Sequence, residues 1–138
     1  NLQAAVGIGQ LRRLSKFVAQ KQTIAARYQK LLSGIPGLSF QTQADYAQTN
    51  WWMFSLLVNE SKFGCSRDQL MRFLAKKGIE TRPFFYPLPQ LPPYKKANQG
   101  YKFPVTDIVA KQGLNLPSYA ALSQKDQLYI IKQIKNVH

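Results

Sequence analysis

The chain has 138 residues, 45% of them hydrophobic, which suits one domain with a modest buried core and is too apolar for intrinsic disorder. Nineteen Lys+Arg stand against 6 Asp+Glu, a net charge of +13; the balance favours anionic partners, yet the bases come as pairs (Arg12-Arg13, Lys76-Lys77, Lys95-Lys96) and not as a block. No stretch approaches the apolar length of a membrane span. The single cysteine, Cys65, excludes an internal disulfide and fits a cytoplasmic home, while the single histidine, His138, leaves neither a zinc site nor a base for a Ser-His-Asp or Cys-His pair.

In chain order, NLQAAVGIGQL reads as the interior of a helix already under way at Asn1, and the expectation is a piece of a longer chain. Leu11, Leu14, Phe17, Val18, Ala25, Tyr28, Leu31 and Leu32 recur at three- and four-residue steps, so residues 2–32 are predicted as one long helix. Gly34 and Pro36 end it. Gly7 and Gly9 each cost about 1 kcal/mol relative to Ala inside a helix; a glycine there points to close approach of a ligand or another backbone, and close helix packing is the expected reason for them. Residues 38–40 form a short strand candidate and 41–50 a polar loop. WWMFSLLV (51–58) is the best strand, expected to be central, covered on both faces, with both tryptophans in the core.

Ser66 with Gln69 makes a capping box for the next helix, with Leu70, Phe73 and Leu74 inward and Gly78 at its end. Residues 79–82 return as a strand, completing one α/β unit. Residues 105–112 form a short helix closed by Gly113, LNLP (114–117) is extended, and Ser123 with Asp126 caps a last helix whose inner face is Leu128, Ile131 and Ile134. The fold class that emerges is α/β, in two layers: a small mixed or antiparallel sheet packed with helices, and a long N-terminal helix.

The stretch GIETRPFFYPLPQLPPY (78–94) stands apart. Five prolines (Pro83, Pro87, Pro89, Pro92, Pro93) run through four aromatics behind one arginine. Prolines fix φ and lower the unfolded chain's entropy, so such a loop holds its shape and loses little on binding. Aromatic faces suit sugar rings, Arg82 offers a planar fork for two phosphate oxygens, and Tyr86 offers a ring and a hydroxyl. The alternative is a rigid loop packed by its own aromatics, with Arg82 paired to Glu80.

Four separated stretches, NLQAAVGIGQL, the aromatic strand, GIETRPFFYPL…PPY and GLNLPSY…LS, together resemble the DegT/DnrJ/StrS family over nearly the whole chain. These are pyridoxal-phosphate-dependent aminotransferases acting on nucleotide-linked keto sugars, and TRPFFYP looks most like the perosamine-synthetase-type members, which aminate a 4-keto-6-deoxy sugar. The resemblance implies the small C-terminal domain of a fold-type I aminotransferase at 35–138, with 1–34 as the connecting helix from a large domain. It implies that the lysine holding pyridoxal phosphate lies before Asn1, so that no catalytic, cofactor-binding or metal-binding residue is expected here and no cofactor is expected to be covalently bound. It assigns Arg82, Tyr86 and Phe84 to substrate binding, glutamate as amino donor, a nucleoside-diphosphate keto sugar as partner, and a homodimer for the parent protein.

One departure from the family pattern is Pro89, which stands where a histidine often follows the YP of this loop. Two other readings are kept beside the resemblance. One is a basic nucleic-acid-binding module, against which stand the lack of an RNP aromatic pattern, of a GxxG loop and of a clustered basic helix. The other is a non-catalytic sugar-nucleotide-binding descendant, which Pro89 encourages.

Overall fold

The computed structural model describes residues 1–137. Its elements run α1 (Leu2–Leu11), α2 (Leu14–Leu32), β1 (Leu38–Phe40), β2 (Phe54–Val58), α3 (Glu60–Phe63), α4 (Arg67–Lys76), β3 (Arg82–Pro83), a 3-10 turn (Leu88–Gln90), α5 (Pro92–Lys95), α6 (Pro104–Gln112), β4 (Gly113–Leu116) and α7 (Gln124–Lys135). The four strands lie in the order β1-β2-β4-β3, each neighbouring pair antiparallel. β2 and β3 therefore run the same way with β4 inserted between them. The strand–helix–strand unit read from the sequence is thus a split one, its two strands separated by the last strand of the chain.

Alternation along β2 decides which face is core. Phe54, Leu56 and Val58 are buried while Ser55 and Leu57 are half-buried, as period-two geometry requires of a strand with one closed face. The closed face meets Tyr28 and Leu32 of α2, Leu70 and Leu74 of α4, and Ile130 and Ile134 of α7. Tyr28 stacks on Phe54 with ring centroids 4.8 Å apart and donates its hydroxyl proton to the Pro117 carbonyl at 2.9 Å. Gln127, fully buried, accepts from Arg27 Nη1 at 2.6 Å and donates to the Ile24 carbonyl at 2.7 Å, bolting α7 to α2. Among the described residues no sealed side-chain polar atom lacks a partner, which is what a low-dielectric interior demands. The Ser66–Gln69 capping box, the Gly78 and Gly113 helix ends and the Ser123 cap are all present as predicted.

Several expectations are corrected, among them cover on both faces for the 51–58 strand, whose second face is only half-buried. The helix over 2–32 is two helices, interrupted at Arg12-Arg13, where Arg13 relaxes to φ −101° and ψ −3°. α1 buries none of its residues, so no packing within this chain holds it in line with α2; the space beside Gly7 and Gly9 is open, and close packing does not explain them here. The 51–58 strand starts only at Phe54. Trp51 is buried but sits at φ +51°, and Trp52 is 68% exposed.

The cause of that delayed start is a polar clamp. The Lys21 ammonium donates to the carbonyls of Trp51, Trp52 and Ser118 at 3.4, 2.8 and 2.9 Å, and the side chains of Thr49 and Asn50 accept from the two tryptophan N–H groups. These bonds take the groups a longer ladder would use. The strand over 79–82 shrinks to Arg82–Pro83 because the Ile79 N–H turns back to the Leu74 carbonyl at the end of α4. In α7, Leu128 faces out, and Gln127 and Ile130 take the inner face with Ile131 and Ile134.

Candidate functional site

The opposite face of the sheet carries a polar row. Antiparallel register sets Ser55 across from Asn115 and Asn115 across from Arg82, and facing residues in such a ladder share a side of the sheet. Ser55 Oγ donates to Asn115 Oδ1 at 2.7 Å. Arg82 follows at the sheet edge, pairing with Glu80 at 2.5 Å, both side chains 76% exposed.

One residue on, the next rung of the ladder explains where the loop goes. The Phe84 N–H donates to the Gly113 carbonyl at 3.2 Å, and the Phe84 ring lies on the bare Cα of Gly113, so closely that any Cβ there would overlap the ring. Gly113 is therefore required by close approach. Arg67, largely enclosed by its neighbours, donates to the carbonyls of Gly113 at 2.9 Å and Ala110 at 3.3 Å, fixing the α6–β4 corner on which Phe84 rests. Beyond Phe84 the loop leaves the sheet. Phe85 and Tyr86 are 82% and 81% exposed, and Gln90 Nε2 pins the far end of the loop to Asp107 Oδ1 of α6 at 2.8 Å.

Two adjoining clefts result. One, of about 590 Å³, is lined by Glu80, Arg82, Asn115, Tyr119 and Tyr129 among others. The second, of about 390 Å³, runs between the sheet, the loop and α6, lined by Ser55, Phe84, Phe85, Val109 and Asn115 among others. Met53 and Asn115 border both. Of the residues singled out from sequence, Arg82 and Phe84 line these clefts, while Tyr86 stands free on the loop and lines neither. Asn115, Ser55 and Met53 were not foreseen. For Ser55 and Asn115 the signal was available as polar side chains inside the apolar runs FSLLV and LNLP.

Two ionisable groups away from these clefts are shifted by burial. Burial pushes the Cys65 thiol up from its ordinary value, with the Glu60 carboxylate adding to the shift, which keeps it in the unreactive neutral form. Burial also lowers the Lys21 ammonium. Among the described residues no group of three His, Cys, Asp or Glu is placed to hold a metal ion, and no helix is long and apolar enough to cross a membrane.

The chain is similar to known proteins along its whole length. It is 35% identical over 136 residues to a GDP-perosamine synthase of Vibrio cholerae, covering 99% of this chain and 36% of that protein. It is 30% identical over 134 residues to a dTDP-4-amino-4,6-dideoxy-D-glucose transaminase of Escherichia coli, covering 95% of this chain and 36% of that one. Among solved structures, the aminotransferase TlmJ from Streptoalloteichus hindustanus superposes with a TM-score of 0.85 at 27% identity, over 97% of this chain and 35% of the other. The chain thus spans about a third of the length of the curated relatives it matches. Residues 1–135 match the DegT/DnrJ/EryC1/StrS aminotransferase family, and the chain belongs to it.

Proposed function

We propose that this chain is the substrate-facing small domain, at 35–138, of a pyridoxal-phosphate-dependent aminotransferase that moves an amino group from glutamate to a keto sugar carried on a nucleoside diphosphate, with 1–34 as the helical connection to a larger domain. The observation that carries the reading is the stiff rim: Arg82 and the aromatic loop stand open beside two clefts, on a scaffold whose opposite face is fully packed. Family membership and the names of the relatives support it.

In this reading Arg82 exchanges its exposed partner Glu80 for diphosphate oxygens. That exchange is easy, because an ion pair in open water is worth only about 0–1 kcal/mol, whereas a diphosphate offers two oxygens to the same fork. Phe84, fixed on Gly113, gives the sugar an apolar wall, and Tyr86 closes over it from the loop. The loop excludes water from one side of the ligand; its prolines keep the ordering cost low.

Pyridoxal phosphate supplies the electron sink for amino transfer when bound. Lys21 does not fit the role of its covalent anchor: its ammonium is held by three carbonyls and serves as the clamp described above. We assign the anchor to residues outside this chain, and a homodimer and a cytoplasmic setting to the complete protein. Two incubations test the assignment. The complete protein, given pyridoxal phosphate, glutamate and a GDP-linked 4-keto-6-deoxyhexose, forms amino sugar. The 138-residue chain alone forms none above buffer, and any turnover by it would refute the division of labour. Arg82→Ala in the complete protein weakens binding of both the sugar nucleotide and the free nucleoside diphosphate by about 10- to 150-fold, a charge-assisted contact of order 1.5–3 kcal/mol being lost; unchanged titrations of both would remove Arg82 from the site.

A further inference from the structure

The smaller cleft contains a polar group that the packing leaves unused. Asn115 is only 8% exposed, in the middle of a strand otherwise made of glycine and leucine. Its Oδ1 is taken by Ser55 Oγ at 2.7 Å, which fixes the orientation of the amide. Its Nδ2 makes no hydrogen bond among the described residues, yet no sealed polar atom there lacks a partner. The nitrogen therefore opens on the clefts that Asn115 borders. A largely buried amide with an idle donor is costly unless something accepts from it.

The surroundings say what kind of acceptor. Phe84, Phe85, Pro87, Val105 and Val109 make the walls of the 390 Å³ cleft apolar, and Ser55 and Asn115 lie together at its floor. No lysine or arginine lines it, so a phosphate has no reason to enter. Arg82 is the cross-strand neighbour of Asn115, with side chains about 4.5–5.5 Å apart at Cβ in such a pair, and it opens on the adjoining cleft. One ligand can span both: charge on the Arg82 side, an apolar-faced ring with an oxygen at its edge on the Asn115 side.

The geometry points to Asn115, oriented by Ser55, as the group that hydrogen-bonds a ring oxygen substituent of a deoxyhexose seated between Phe84, Phe85 and α6. This rests on the nucleotide-sugar reading above and adds the place where the sugar half is read. A deoxy sugar matches the site because its methyl and C–H face suit the apolar walls while its hydroxyl or keto oxygens accept from Nδ2. Asn115 is thus a specificity residue for the sugar and indifferent to the nucleotide.

The test is isothermal titration of the complete, pyridoxal-phosphate-loaded protein with two probes, GDP and a GDP-linked 4-keto-6-deoxyhexose. Asn115→Leu, branched at the same carbon and without the donor, is expected to weaken the sugar nucleotide about tenfold and leave GDP unchanged. Thr106→Trp fills the same cleft from the exposed surface of α6 without touching the core, and is expected to do the same. Arg82→Ala weakens both probes and marks the nucleotide side. Sugar-nucleotide affinity unchanged in Thr106→Trp or Asn115→Leu, or equal loss for both probes, would overturn the inference while leaving the aminotransferase reading in place. A wild-type protein that binds neither probe would overturn the reading and the inference with it.

Discussion

The two faces of the sheet use the same kinds of residue for opposite ends. On the closed face Tyr28 and Trp51 each stack on Phe54, with ring centres 4.8 and 5.9 Å from it. On the open face Phe85, Tyr86, Tyr94 and Tyr101 stand in solvent. The closed face is held by contact: each ring is fixed by its neighbours. The open rim is held by covalent stiffness and a few staples, namely five prolines, the Phe84 N–H bond to Gly113 and the Gln90–Asp107 bond. A rim built this way can exchange partners without disturbing the wall behind it, which is what a ligand-responsive surface on a stable scaffold needs.

Substitutions on the two faces sharpen this contrast most directly. Phe54→Ala leaves a cavity where three aromatic rings meet, and a loss of about 3–5 kcal/mol in urea unfolding is expected. Tyr86→Ala, on the rim, is expected to shift stability by no more than about 0.5 kcal/mol. Comparable losses for the two would mean that the rim is structural after all. Gly113→Val attacks a place where rim and wall touch. The new side chain displaces the Phe84 ring from the sheet, at a cost of about 1–3 kcal/mol. Sugar-nucleotide affinity, measured in the same variant, falls with it if Phe84 is a wall of the site.

Local chemistry was the legible part of this fold. The capping box at Ser66, the glycine end at Gly78 and the strand at Leu38–Phe40 depend on neighbours in sequence, and they stand where the pattern puts them. Two of the errors, at Trp51 and at Arg13, turn on what lies beyond the local sequence. Nothing near Trp51 announces that Lys21, thirty residues earlier, will claim its carbonyl and bend the chain there. The interruption at Arg13 reflects α1 having no surface of this chain to pack on, which periodicity cannot register. Arg82 and Phe84, which line the clefts, drew notice in the sequence because a proline-rich loop advertises itself, and the Arg82–Glu80 pair is the one that the alternative, packed-loop reading named. Asn115 was hidden because its importance comes from register: β4 slots between β2 and β3, and only then do Ser55, Asn115 and Arg82 lie in a row.

The subtlest test of the closed face is alkaline. Burial pushes the Tyr28 phenol far above its ordinary value, and the nearby Tyr119 adds to the shift. The folded protein therefore keeps the Tyr28 proton at pH values where the unfolded chain, titrating near 10, has begun to lose it. With more protons bound in the folded state, stability must fall as pH rises. The contribution is fully present below pH 10 and declines above it, by at most about 1.4 kcal/mol per pH unit. Tyr28→Phe removes the titrating group. It also removes the bond to the Pro117 carbonyl, so its stability is lower by about 1 kcal/mol at neutral pH. Between pH 10 and 11 its urea midpoint then falls less steeply than that of the wild type, and the two curves converge. Parallel curves across that interval would show that water reaches Tyr28, and that the face described here as closed is open.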